Sequence, residues 1–252
     1  REVVEVLCAA LKAHGASFVP KVQSTVLPLF GQLLGDQRSS DDKCAALNVL
    51  VDLVDHGGDA AVHLSSNVAA ACLQHSSHPH PHVRRSACYG LAVCAQRGGA
   101  TFAPLVPSAL QTMHGIVMAQ GSREGDNAAA TDNAVDAVGR MCRYQAQSGI
   151  DAASVLPTWV TWLPLRHDDE CAAEAHSYLA ELLETGSPHI VGCLPDALRV
   201  VCAVRGGLGL EAGQSMGDDA LKDRLGRALA GVPGDALAAA RGRVDASLLA
   251  HL

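Results

Sequence analysis

Aromatic side chains are scarce, with two Trp, three Tyr and three Phe making up 3% of 252 residues. The 48% hydrophobic content therefore rests mainly on alanine, valine and leucine. Small side chains let helices approach closely, which suits a layered helical stack better than a sheet sandwich. Paired cysteines are missing as well. Nine are present, but they are scattered singly and no C-x-x-C occurs. That spacing argues against a disulfide scaffold and fits a reducing compartment, the cytosol or the nucleus. Basic excess is also absent: 19 Lys and Arg stand against 26 Asp and Glu, a formal net charge of −7. Nucleic acid is thereby excluded as the main partner, because neutralising phosphates needs a basic surface. No apolar run reaches the roughly 18 residues of a membrane span, and no secretory signal is legible.

The marks of catalysis are missing too. No nucleophile sits in a pattern that brings a base and an orienting group beside it, so the expectation is not an enzyme. The most chemical stretch is His75-Ser-Ser-His78-Pro-His80-Pro-His82, four imidazoles within eight residues. It lies between two helical stripes, prolines fix its backbone, and no carboxylate or cysteine completes a metal shell within it. It reads as a solvated loop, with no metal and no cofactor expected.

What the sequence does have is helical periodicity. Val4, Leu7, Cys8 and Leu11 follow the i, i+3, i+4, i+7 pattern of one buried helix face. So do Ala46, Leu47, Leu50, Val51 and Val54, and Ala172, Ala175, Leu179, Leu182 and Leu183. Glycines punctuate these stripes at 15, 57, 98, 149, 186 and 231, in steps of 42, 41, 51, 37 and 45. That interval is the HEAT or armadillo repeat of about 40–47 residues, two helices per unit. The longest step contains the polar stretch Gln120-Gly-Ser-Arg-Glu-Gly-Asp-Asn127, which reads as an inserted loop. Leu27-Pro28, Val106-Pro107, Leu156-Pro157 and Leu194-Pro195 follow most of the glycines and predict bent or late-starting first helices.

The spacing predicts an all-α solenoid of HEAT repeats, about twelve helices in one segment. A leading helix near 2–14 precedes pairs near 18–56, 59–97, 100–145, 151–185 and 188–231, and a closing helix spans 234–251. Such stacks are quasi-one-dimensional and offer a long surface suited to protein partners. Acids on the second helices, Asp132, Asp136, Glu170 and Glu174 among them, lie off the apolar stripes. On a concave face they would meet lysines and arginines of a partner. Trp159 and Trp162, three apart on one helix, are candidates for packing between units.

Three segments resemble the karyopherin (importin-beta) family, in its importin-beta-3 branch of nuclear import receptors. They are Val83-Arg-Arg-Ser-Ala-Cys-Tyr-Gly-Leu-Ala-Val-Cys-Ala-Gln-Arg-Gly-Gly99, Ala130-Thr-Asp-Asn-Ala-Val-Asp-Ala-Val-Gly-Arg140 and Val155-Leu-Pro-Thr-Trp-Val-Thr-Trp-Leu-Pro-Leu165. Their order and spacing match the C-terminal repeats of such receptors, and the resemblance extends over essentially the whole chain. It implies a segment of a longer receptor that shuttles between cytoplasm and nucleus through the pore. Cargo proteins with basic signals would lie on the concave face, and Asp132, Asp136, Glu170 and Glu174 are the acids expected to touch them. FG nucleoporins would enter grooves between first helices, and Ran would bind through N-terminal repeats absent from this chain. Tyr89, Asn133, Trp159 and Trp162 match family motifs and are expected to hold adjacent repeats in register. The loop 120–127 is shorter and less charged than the family pattern, and the stretch 205–217 is richer in glycine. The competing expectation is a HEAT scaffold or adaptor with no transport role, which FG-peptide binding would separate from a receptor.

Overall fold

The glycines set up the architecture. At Gly15, Gly58 and Gly99 the backbone takes φ of +53°, +53° and +50°, a left-handed conformation open to glycine at little cost. In each case the carbonyl of that glycine receives the N–H three residues on, from Phe18, Ala61 and Phe102. The same turn, used three times, ends one second helix and starts the next first helix. The computed structural model describes residues 2–252, and among these it contains fifteen α-helices and no strand.

Twelve expected helices become fifteen because three of them are interrupted. The first pair opens with α2 (Val19–Thr25) and α3 (Leu27–Leu33), which break at Val26 ahead of Pro28. A proline in the first turn lacks the N–H that would continue the preceding helix. The break between α11 (Pro188–Val191) and α12 (Leu194–Gly206) falls before Pro195 in the same way. The closing helix divides into α14 (Gly234–Arg241) and α15 (Ala246–Leu249), the latter capped by Asp245. The second helix of the last pair also starts later than expected. It is α13 (Asp219–Ala230), because the glycine-rich run before it has φ of +61°, +77°, +86° and +128° at Gly207, Gly209, Gly213 and Gly217.

The remaining elements are α1 (Glu2–His14), α4 (Ser40–His56), α5 (Ser65–His75), α6 (Pro81–Arg97), α7 (Val106–Met118), α8 (Asn127–Tyr144), α9 (Ala152–Thr161) and α10 (Asp169–Glu184). Three of the second helices, α4, α10 and α13, begin at side-chain caps. Ser39 accepts from the Asp42 N–H, Asp168 from Cys171 and Asp218 from Leu221. Each such cap contributes about 1 kcal/mol.

Contacts divide the chain into two compact units, residues 1–148 and 149–252. In the first unit α1 packs on α4, α4 on α6 and α6 on α8, while α3, α5 and α7 each cover their own second helix. Its core holds Leu47, Leu53, Leu91, Phe102, Met113 and Met141, all fully buried. Three helices converge at Gly90, where a Cβ would overlap Cys72 Sγ of α5 and lie 2.7 Å from Val51 of α4. The second unit joins α10 to α13 and sets α12 against α9, α13 and α14. Its core holds Leu156, Trp159, Leu165, Leu179 and Leu198. No helix among the described residues is long and apolar enough to cross a membrane.

Candidate functional site

The acids of the second helices were the expected partner contacts, and their surroundings decide which of them can serve. Asp55 on α4 accepts from Arg97 Nε on α6 at 3.0 Å. One repeat on, Gln96 of α6 accepts from Arg140 Nη1 of α8 at 2.7 Å, and Arg140 Nε donates to Asp136 at 2.9 Å. The same guanidinium sits 5.9 Å from the centre of the Tyr89 ring on α6. In the second unit both oxygens of Glu184 on α10 receive the fork of Arg224 on α13, at 2.9 and 2.7 Å. That fork holds the Glu184 carboxyl below its usual range, and the Arg224 hydrogen bonds are the main cause. The sequence separations of these cross-helix contacts are 42, 44 and 40, one repeat each. Polar side chains thus form rungs between successive second helices.

Two of the four expected cargo acids are therefore not where the sequence put them. Asp132 and Asp136 are 0% exposed, not open on a concave face. Residues 130–142 of α8 are buried without a gap, so this helix has no solvated side for the stripe reading to find. Asp136 lies against Arg140, and Asp132 receives Arg123 Nη1 at 3.1 Å from the loop before α8. That loop is fastened further by the Thr131 hydroxyl, which donates to the Ser122 carbonyl at 2.6 Å. Burial lowers the Arg123 pKa from its usual value, and the Asp132 charge opposes that shift. Glu170 is exposed in the first turn of α10 and Glu174 is half-buried one turn later.

Two of the four motif residues are buried and two are half-buried. Tyr89 is half-buried under the Arg140 guanidinium. Asn133 is 1% exposed and donates to the Ala129 carbonyl at 2.8 Å. Trp159 is fully buried with its ring 5.5 Å from that of Tyr178 on α10, and Trp162 is half-buried. In the histidine-rich loop, His75 turns inward between the carbonyls of Ala71 (2.9 Å) and Leu34 (3.3 Å), while His78 Nδ1 accepts the His80 N–H at 3.1 Å. Among the described residues no three His, Cys, Asp or Glu side chains converge as a metal site would require.

Several structural residues escaped the sequence reading. Lys43 is 5% exposed and donates to the Arg38 carbonyl at 2.6 Å, tying the loop before α4 to the helix. His176 on α10 is fully buried and bridges two turns: Nε2 accepts the Leu165 N–H at 3.2 Å, and Nδ1 donates to the Met216 carbonyl at 2.8 Å. Burial is the main cause that lowers its pKa to about 4, so the ring is neutral. Only Arg140 had a local signal, since Asp136 precedes it by four residues on one helix.

No family model matches the chain. A probable importin-5 homolog of Dictyostelium discoideum is 25% identical over 173 residues, covering 66% of this chain and 16% of that protein. Importin subunit beta-3 of Saccharomyces cerevisiae is 26% identical over 188 residues, covering 74% of this chain and 17% of that protein. The chain is similar to a segment of these importins. It spans about a sixth of the length of the curated relatives it matches. Its fold agrees: the crystal structure of Kap121p bound to RanGTP superposes with a TM-score of 0.70 at 20% identity, over 99% of this chain and 22% of that one. Kap121p bound to Nup53p gives 0.67 at 18% identity, again over 99% of this chain and 22% of that one. These likenesses show the fold to be an all-α solenoid. The names of the relatives are those of transport receptors and not of enzymes.

Proposed function

We propose that this chain is the cargo- or pore-binding part of a receptor for Ran-dependent nuclear protein import. The observation that carries the reading is the match to two importins across most of the chain, on a stack of helix pairs that superposes on Kap121p. Its mechanism is reversible binding along a repeated helical surface, with no bond made or broken. Kap121p is known from its solved complexes to bind RanGTP, the nucleoporin Nup53p and the proteins Ste12p, Pho4p and Ulp1p. The same three kinds of partner are assigned to the whole receptor: FG nucleoporins, protein cargo with basic signals, and Ran through N-terminal repeats outside this chain.

Within this reading, Glu170 and Glu174 are the acids that meet a basic cargo, supported by their accessibility on one turn of α10. Asp132 and Asp136 serve the interior and indirectly hold α8 in place. Tyr89, Asn133, Trp159 and Trp162 keep neighbouring helices in register. The test is Ran loaded with GTP or GDP, titrated against the full-length receptor carrying a basic cargo. Release of cargo by the GTP form alone is expected. Equal behaviour of the two forms would replace the receptor reading with that of a HEAT scaffold.

A further inference from the structure

The last helices of the second unit enclose a cleft that none of the contacts above uses. Between α12, α13 and α14 lies a cavity of about 490 Å³, inside the range of about 300–1,000 Å³ that holds ligands. Three guanidiniums line it, those of Arg205, Arg227 and Arg241, against one acidic side chain, that of Asp223. Leu229 and Leu237 supply its apolar wall. A chain of net charge −7 thus gathers positive charge around one concavity.

Arg205 is held in place. Its side chain donates to the carbonyls of Lys222 (3.2 Å), His251 (3.4 Å) and Leu252 (3.2 Å). It lies along α13 because residue 226 is glycine, where a Cβ would overlap its Nη1. Arg205 is therefore a fixed part of the wall. Arg227 and Arg241 are exposed, and among the described residues neither side chain forms a hydrogen bond or an ion pair. Glu184 lies near enough to feel Arg227, but both of its oxygens already receive Arg224. Two guanidiniums thus face the cleft with donors unspent, and a third is anchored behind them. Arginine forks match carboxylates bidentately.

We propose that this cleft binds a short acidic peptide of a partner protein, with carboxylates on Arg227 and Arg241 and an apolar side chain against Leu229 and Leu237. Nucleic acid fits less well, because a phosphate backbone needs an extended basic track, whereas this charge is confined to one pocket with apolar walls. The site takes the opposite charge from a basic cargo signal and is independent of Glu170 and Glu174.

The experiment measures the fluorescence anisotropy of a labelled Glu-Leu-Glu-Glu-Leu-Glu peptide titrated with the whole chain. Its lysine-for-glutamate counterpart and a single-stranded oligonucleotide serve as comparisons. The acidic peptide is expected to bind most tightly and to weaken with salt, as screening shortens the reach of exposed charges. Arg227→Glu with Arg241→Glu should weaken it by about tenfold or more, since each reversal replaces an attraction with a repulsion. Both side chains are exposed, so circular dichroism should show the fold intact. Lys21→Glu with Arg38→Glu makes the same change in net charge at exposed sites outside the cleft and should leave the affinity within about twofold. Three results would overturn the proposal: equal weakening by both double variants, no weakening by the cleft variant, or tighter binding of the oligonucleotide.

Discussion

Protonation of His176 should destabilise the second unit in mildly acidic solution. The ring is fully buried, with its two nitrogens committed to the Leu165 N–H and the Met216 carbonyl. A proton on Nε2 would set two donors against each other in the interior. The pKa falls from 6.5 to about 4, through burial first and the nearby Arg166 charge to a lesser extent, with the Met216 hydrogen bond opposing. Because the folded value lies below the unfolded one, the unfolded chain binds more protons between them. The contribution is therefore complete above pH 6.5 and is lost as pH falls through about 4. At 1.36 kcal/mol per pH unit, the full window corresponds to about 3 kcal/mol, and the part between pH 6.5 and 5 to about 2 kcal/mol. The assay is urea unfolding followed by circular dichroism at several pH values from 7.5 to 5, for the wild type and His176→Gln. The variant keeps an acceptor for Leu165 but leaves the Met216 carbonyl without its donor, which costs about 1–3 kcal/mol at neutral pH. Its stability should then fall less steeply than the wild type's on acidification, the two curves converging by about 2 kcal/mol at pH 5. The eleven other histidines are common to both proteins and cancel in the difference. Parallel curves would refute the reasoning.

Gly90→Ala should destabilise by about 1–3 kcal/mol through overpacking against Cys72 and Val51. Adding Cys72→Ala should recover part of that loss, because it removes the overlapping sulfur, and a double-mutant cycle in urea measures the coupling. Arg140→Met should cost about 3–5 kcal/mol by taking the guanidinium away from the buried Asp136 carboxylate and from Gln96. The apolar pair Asp136→Leu with Arg140→Met should be milder than the single change. Burial pushes the Cys72 thiol up to about 12 and raises Cys88 and Cys94 as well. All three should resist iodoacetamide in the native protein at pH 8 and react once it is unfolded in urea. Glu170→Lys with Glu174→Lys should weaken a basic cargo peptide severalfold, at about 0.2–1 kcal/mol for each exposed pair, and anisotropy with no change would remove these acids from the cargo surface.

The fold was legible because a repeat writes itself several times. The glycine interval, the proline in most first helices and the apolar stripes each reported the same period. The cross-helix contacts at separations of 42, 44 and 40 then follow from that period. The site was legible only in part. A stripe marks the most apolar face of a helix, but it cannot show that α8 is covered on its polar side as well. Asp132 and Asp136 therefore read as solvated when they are interior. Residues such as Arg97, Arg224 and His176 find their partners 40 or so positions away, and nothing local marks them. The cleft at Arg205 depends on the same kind of distant meeting. Three arginines spread over 37 residues become one pocket only because α12, α13 and α14 pack together.

The most direct test of the receptor reading is the binding of an FG-repeat peptide to this chain, measured by fluorescence anisotropy beside a peptide with serine in place of each phenylalanine. The account predicts saturable binding that disappears with the phenylalanines. Equal binding of both peptides, or of neither, would contradict it and leave a helical scaffold in place of a transport receptor.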